Sequence, residues 1–100
     1  MHRMTYKMKS KVWLYAGPTA WHFITVPKEL SEIIKEKHAK KARGFGSLRV
    51  RVSVGNTSWD TSIFPDSRSG TYLLPLKAGV RKKEEIFEGD TIALTLDIKS

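Results

Sequence analysis

From Lys35 to Arg51 the chain sets seven Lys or Arg against a single acid, Glu36. Cations crowded in this way attract phosphate oxygens, so a surface that tracks nucleic acid is the first chemistry to weigh. Its members would be Lys35, Lys37, Lys40, Lys41, Arg43, Arg49 and Arg51. The same run reads equally well as a solvated helix face followed by the outer side of a strand. Lys77 and Arg81 stand one helical turn apart and would suit a small anion at a helix start, with an ordinary surface pair as the alternative. Arg43-Gly44-Phe45-Gly46-Ser47 offers backbone N–H groups in a Gly-rich turn. It has neither P-loop nor dinucleotide spacing, so a helix cap ahead of a strand is the preferred reading.

A second set is aromatic. Trp13, Trp21, Phe23, Phe45, Trp59, Phe64 and Tyr72 could stack bases or line a small-molecule cleft. A small barrel needs most of its rings as interior filling. Trp21, His22 and Trp59 are the cleft candidates, because alternation does not say which face there is wet. His22 with Asp60 or Asp66 would form an acid–base pair if the fold joined them, although a hydrogen-bonded strand histidine is the plainer meaning. His2, His22 and His38 are too scattered for a metal site. No serine occupies a nucleophile elbow. No catalytic residue, metal or cofactor is therefore expected.

Composition narrows the setting. One hundred residues make one domain with a modest core. The net charge is +8, from 18 Lys and Arg against 10 Asp and Glu. Arg3, Lys7, Lys9 and Lys11 have no acid among them, whereas Glu84, Glu85, Glu88, Asp90 and Asp97 gather near the end. Such a balance suits nucleic acid, an anionic ligand or an acidic protein partner. No apolar run nears the roughly 18 residues of a membrane span. No apolar segment follows the basic N-terminus, so a cytoplasmic protein is expected. Cysteine is absent, which excludes disulfides and thiolate metal sites.

The elements that must position these groups follow from periodicity. Thr5 to Tyr15 alternates, with Tyr6, Met8, Val12 and Leu14 on one face and Lys7, Lys9 and Lys11 on the other. Ala16-Gly17-Pro18-Thr19 is a turn, and Trp21 to Val26 a second strand. Pro27 suits the start of an amphipathic helix over 28 to about 40, with Leu30, Ile33, Ile34 and His38 on one stripe and Gly44 as its stop. Ser47 to Val54 alternates, Gly55-Asn56 signals a hairpin, and Ser58 to Phe64 returns with Trp59, Thr61 and Ile63 on one face. After a turn over 65–70, Thr71 to Leu76 is a strand whose Pro75 opens a short helix. In that helix Lys77 comes early and Glu84 and Glu85 late, against the dipole, so packing of Val80 and Ile86 must hold it. Gly89-Asp90 then turns into Thr91 to Ile98. Strand, Pro27, helix, Gly44, strand is echoed by strand, Pro75, helix, Gly89, strand. The two halves run roughly over 5–56 and 57–100.

Trp21–Glu29, Arg43–Val50, Thr57–Asp66, Ser69–Lys82 and Glu88–Thr91 occur in an order that resembles one prokaryotic family, domain-of-unknown-function family nineteen-oh-five. The resemblance implies a double-split β-barrel, similar in plan to the AbrB and MazE swapped-hairpin domains. It transfers no activity and no catalytic residue. Glu85 stands where members commonly carry glycine. If the backbone there has positive φ, Glu85 costs on the order of 1 kcal/mol and Phe87 is left either exposed or folded under the barrel.

The expected molecule is mainly β with two short helices, about six strands forming a double-split barrel whose ends the helices cap. Both halves lie in one chain, so a monomer is expected, with a weak dimer as the alternative. Its expected role is non-enzymatic binding of nucleic acid or another anionic partner through a basic face. A protein-interaction or small-ligand regulatory module is the alternative, and an enzyme with an aromatic-lined cleft ranks below it.

Overall fold

The computed structural model describes residues 4–15, 21–42 and 44–99, with the side chains at 41 and 45 set aside. The turn expected at 16–19 and Arg43 lie outside the described residues. Six strands, β1 (Met4–Tyr15), β2 (Trp21–Thr25), β3 (Leu48–Val54), β4 (Thr57–Asp66), β5 (Thr71–Leu76) and β6 (Thr91–Ile98), close into an antiparallel barrel in the order β1-β2-β5-β4-β3-β6. Two helices, α1 (Lys28–His38) and α2 (Ala78–Lys83), complete it. Strands from both halves of one chain close the ring.

The helices have little choice of place. Helix α1 joins β2 to β3, and α2 joins β5 to β6; in each case the strands stand three places apart in a ring of six. Each connection must therefore cross a mouth of the barrel. Antiparallel neighbours put the end of β2 and the start of β3 at one mouth, and the end of β5 and the start of β6 at the other. The two helices cap opposite ends. Exchanging β1 with β4, β2 with β5 and β3 with β6 leaves the ring order unchanged, the topological form of the echo seen in the sequence.

Two strands turn corners. Met4–Lys11 pairs with β6 and Val12–Tyr15 with β2. Likewise the part of β4 up to Ile63 pairs with β3, and Phe64–Asp66 with β5. Prolines mark the splits. Pro65 pairs with Tyr72 beyond the last β3 partner, and Pro75 pairs with Phe23 beyond the last β4 partner. A residue without an N–H is tolerated where the strand has no neighbour to donate to. Pro75 thus belongs to β5 rather than opening a helix, and α2 begins at Ala78.

Aliphatic side chains fill the interior. Leu48, Val50, Val52 and Val54 point inward from β3, meeting Ile24, Ile63, Leu74, Leu94, Leu96 and Ile98, with Ile34, Val80 and Ile86 closing the ends. β-branched and leucine side chains fill so narrow a barrel, so most rings stay out of it. Trp59 and Tyr72 are buried, whereas Trp21 and Phe64 are exposed and Trp13 and Phe23 are half-buried. That overturns the expectation of an aromatic core. Leu14, expected inward, is exposed near the end of β1.

Helix boundaries shift for local reasons. Helix α1 ends at His38 and tightens into a 3-10 turn over Ala39–Lys41, where the Ala42 N–H finds the Ala39 carbonyl. Gly44 is not its stop but begins a second 3-10 turn, Gly44–Gly46. The buried stripe of α1 is Ser31, Ile34 and His38, while Ile33 is exposed. In α2 the last turn carries Arg81, Lys82 and Lys83, which suits the dipole. Glu84 follows the helix and Glu85 takes φ +52°, the left-handed conformation on which its expected cost was conditional.

Candidate functional site

Where β4 and β5 part beyond Leu73, a cleft of about 360 Å³ opens beneath α2. Trp59 and Thr61 of β4 form one wall, Pro75 and Leu76 of β5 the other, and Trp21 and His22 reach in from β2. Lys77, Ala78 and Arg81 close it from the helix side. Two candidate sets that were separate in the sequence, Trp21 with His22 and Trp59, and Lys77 with Arg81, line one site.

Register explains the meeting. His22 is paired with Leu76, so both sit at the mouth that α2 crosses. One turn along α2, Arg81 is half-buried. Its Nε donates to the Leu76 carbonyl at 3.3 Å and its Nη1 approaches His22 Nε2 at 3.5 Å. Those contacts aim a fixed positive charge at the cleft. Trp59 is only 6% exposed and supplies a wall, whereas Trp21 is 53% exposed and stands at the rim. His22 meets Arg81, while Asp60 binds Arg51 and Lys99, and Asp66 accepts from the Arg68 N–H and Ser69.

At the corresponding place on the other half, β1 meets α1 through a side-chain pair. There the Tyr6 hydroxyl meets Nε2 of buried His38 at 3.1 Å, with the rings edge to face. Burial pushes the Tyr6 hydroxyl above its ordinary pKa.

The remaining cations spread out. Lys40 follows α1 at the mouth opposite Arg81. Arg49 and Arg51 lie on the outer side of β3. Arg49 Nη1 reaches Ser62 Oγ at 3.4 Å. Arg51 is 3.0 Å from Asp60 and Lys99 is 2.8 Å from it, so one carboxylate serves both. Hydrogen bonds from Lys99 and Arg51 hold the Asp60 carboxyl below its usual range. The Lys41 side chain and Arg43 are outside the described residues. No group of His, Asp or Glu among the described residues could hold a metal ion. No helix among them is long and apolar enough to cross a membrane.

Sequence reasoning missed Thr61, Pro75, Leu76 and Ala78 as lining residues. The available signal was Pro75 itself, a missing donor inside a strand and hence a mark of separation from one neighbour.

The fold and cleft define a closed six-stranded barrel with helix-capped ends and a split opened beside one cap. The chain belongs to the family Domain of unknown function (DUF1905), whose model matches residues 9–96. A search of curated proteins finds no match to the chain.

Proposed function

We propose that the protein acts by binding, and that its ligand is a small anion carrying a planar ring, held in the cleft beneath α2. The observation behind this reading is the convergence of Arg81 and Lys77 with Trp21 and Trp59 on one opening. A guanidinium recognises a carboxylate or phosphate through paired N–H donors. Indole faces supply stacking area with polar specificity left to the cations. The volume suits one ring system with one anionic group.

Tryptophan fluorescence is the test, with a nucleoside monophosphate, an aromatic carboxylate and inorganic phosphate as ligands. A ring-bearing anion should perturb the emission at lower concentration than phosphate alone. Arg81→Ala should weaken that ligand tenfold or more, since a hydrogen bond to a charged group contributes about 1.5–3 kcal/mol. Equal response to phosphate, or unchanged affinity in Arg81→Ala, would remove the reading.

A further inference from the structure

The outer face of β1 carries Lys7, Lys9 and Lys11 in strict alternation, all exposed, followed by Trp13 and Tyr15. Successive outward side chains on one strand stand about 7 Å apart. In register, the three lysines face Thr95, Ala93 and Thr91 of β6, so each has a neutral residue opposite. The nearest acid in that ladder is Asp97, which stands opposite Thr5 and accepts its hydroxyl hydrogen bond.

Beyond Lys11 the same face turns aromatic. Trp13 lies across from Phe23, with ring centroids 5.2 Å apart. Phe23 is stacked on Trp21 at 6.0 Å and 13°, and Tyr15 meets Phe23 edge-on at 6.5 Å. The Trp13 indole N–H is anchored to Thr25 Oγ1 at 2.8 Å, which holds this row of rings against the barrel wall. Tyr15 and Trp21 remain 55% and 53% exposed. A row of cations running into a row of anchored, half-open rings combines two different attractions along one line.

We infer that this face binds single-stranded nucleic acid. The lysine row neutralises successive phosphates, and the exposed rings of Tyr15 and Trp21, backed by Trp13 and Phe23, stack bases. Ring stacking selects a single strand, because the faces of bases inside a duplex are already covered by their neighbours. The aromatic row ends at Trp21, which also rims the cleft, but the inference stands without a ligand in the cleft.

The test is fluorescence anisotropy with labelled 15-residue oligomers of thymidine and of uridine, beside a duplex of equal length. The single strands should bind more tightly than the duplex by tenfold or more. Replacing Lys7, Lys9 and Lys11 together by Gln should flatten the dependence of log K on log salt by about 2, three phosphates at about 0.7 each. Tyr15→Ala should weaken the single strands several-fold while leaving that slope unchanged. Circular dichroism and the thermal midpoint verify that each variant folds; should the triple variant not fold, Lys9→Gln alone should flatten the slope by about 0.7. Arg81→Ala, which attacks the cleft, should leave the salt slope intact. Absence of binding at low salt, equal affinity for duplex, or unchanged slope in the lysine variant would overturn the inference. So would dextran sulfate competing as well, charge for charge, as the oligomers.

Discussion

The Ser31 hydroxyl accepts the Tyr72 backbone N–H at 3.1 Å and donates to the Val26 carbonyl at 3.0 Å. One buried side chain therefore stitches α1 to the end of β2 and the start of β5, 41 residues away in sequence. Ser31→Ala leaves the Tyr72 N–H without that acceptor inside the barrel. A loss of about 1–3 kcal/mol is expected, read as a lower midpoint in urea with an unchanged slope. A midpoint equal to that of the parent protein would show that water replaces the hydroxyl at no cost.

Glu85 is the non-glycine residue with positive φ among the described residues, at +52°. The left-handed conformation costs an L-residue about 1–2 kcal/mol, and glycine returns about 0.5–1 kcal/mol of that as extra chain entropy on unfolding. Glu85→Gly should therefore stabilise the fold by about 0.5–1 kcal/mol in a denaturant titration. Glu85→Ala, which keeps the Cβ, should give no such gain.

Alkaline pH should loosen the barrel. Burial raises the pKa of both Tyr6 and Tyr72 above the ordinary value near 10. Below pH 10 neither folded nor unfolded chain ionises these hydroxyls, and the stability they contribute is fully present. Above it the unfolded chain ionises first, so stability falls as pH rises toward the folded values. Thermal midpoints at pH 9 and pH 11 measure this, and Tyr6→Phe should reduce the fall.

Acid pH acts on Asp60 in the opposite sense. Its hydrogen bonds to Lys99 and Arg51 lower its folded pKa. The stability it lends is present above the unfolded value near 3.9 and is lost as pH drops through the folded one. Carboxyl NMR should find Asp60 titrating below the usual aspartate value, and 1 M salt should shrink that displacement because the group is exposed. Arg51→Gln should shrink it as well.

Periodicity carried much of the fold. Strict alternation in Leu48–Val54 and Ile92–Ile98 identified the inward faces correctly, because one side of each strand meets only apolar neighbours. Positive φ at Glu85 entered the sequence reading only as a condition attached to the family resemblance, and the backbone meets that condition. Ser31 was not legible: a serine on a helix signals nothing until its partners from β2 and β5 are known. The rings misled for a related reason. Trp13, Phe23 and Trp21 alternate just as core residues would, and only barrel closure decides which face is inside. For the cleft, the sequence supplied both residue sets but not their union. His22 and Arg81 are 59 positions apart, and the pairing of β2 with β5 brings them together.

Met4 stands opposite Ile98 in the ladder between the first and last strands. The start of β1 and the end of β6 thus lie side by side. A few flexible residues could join Ile98 to Met4, with a fresh break introduced at Gly55-Asn56, and the same ring should assemble from the rearranged order. During synthesis the arrangement has a cost in time. Neither β1 nor β3 can gain its β6 partner until Thr91–Ile98 has left the ribosome, so five strands must wait with a gap in the wall for the sixth.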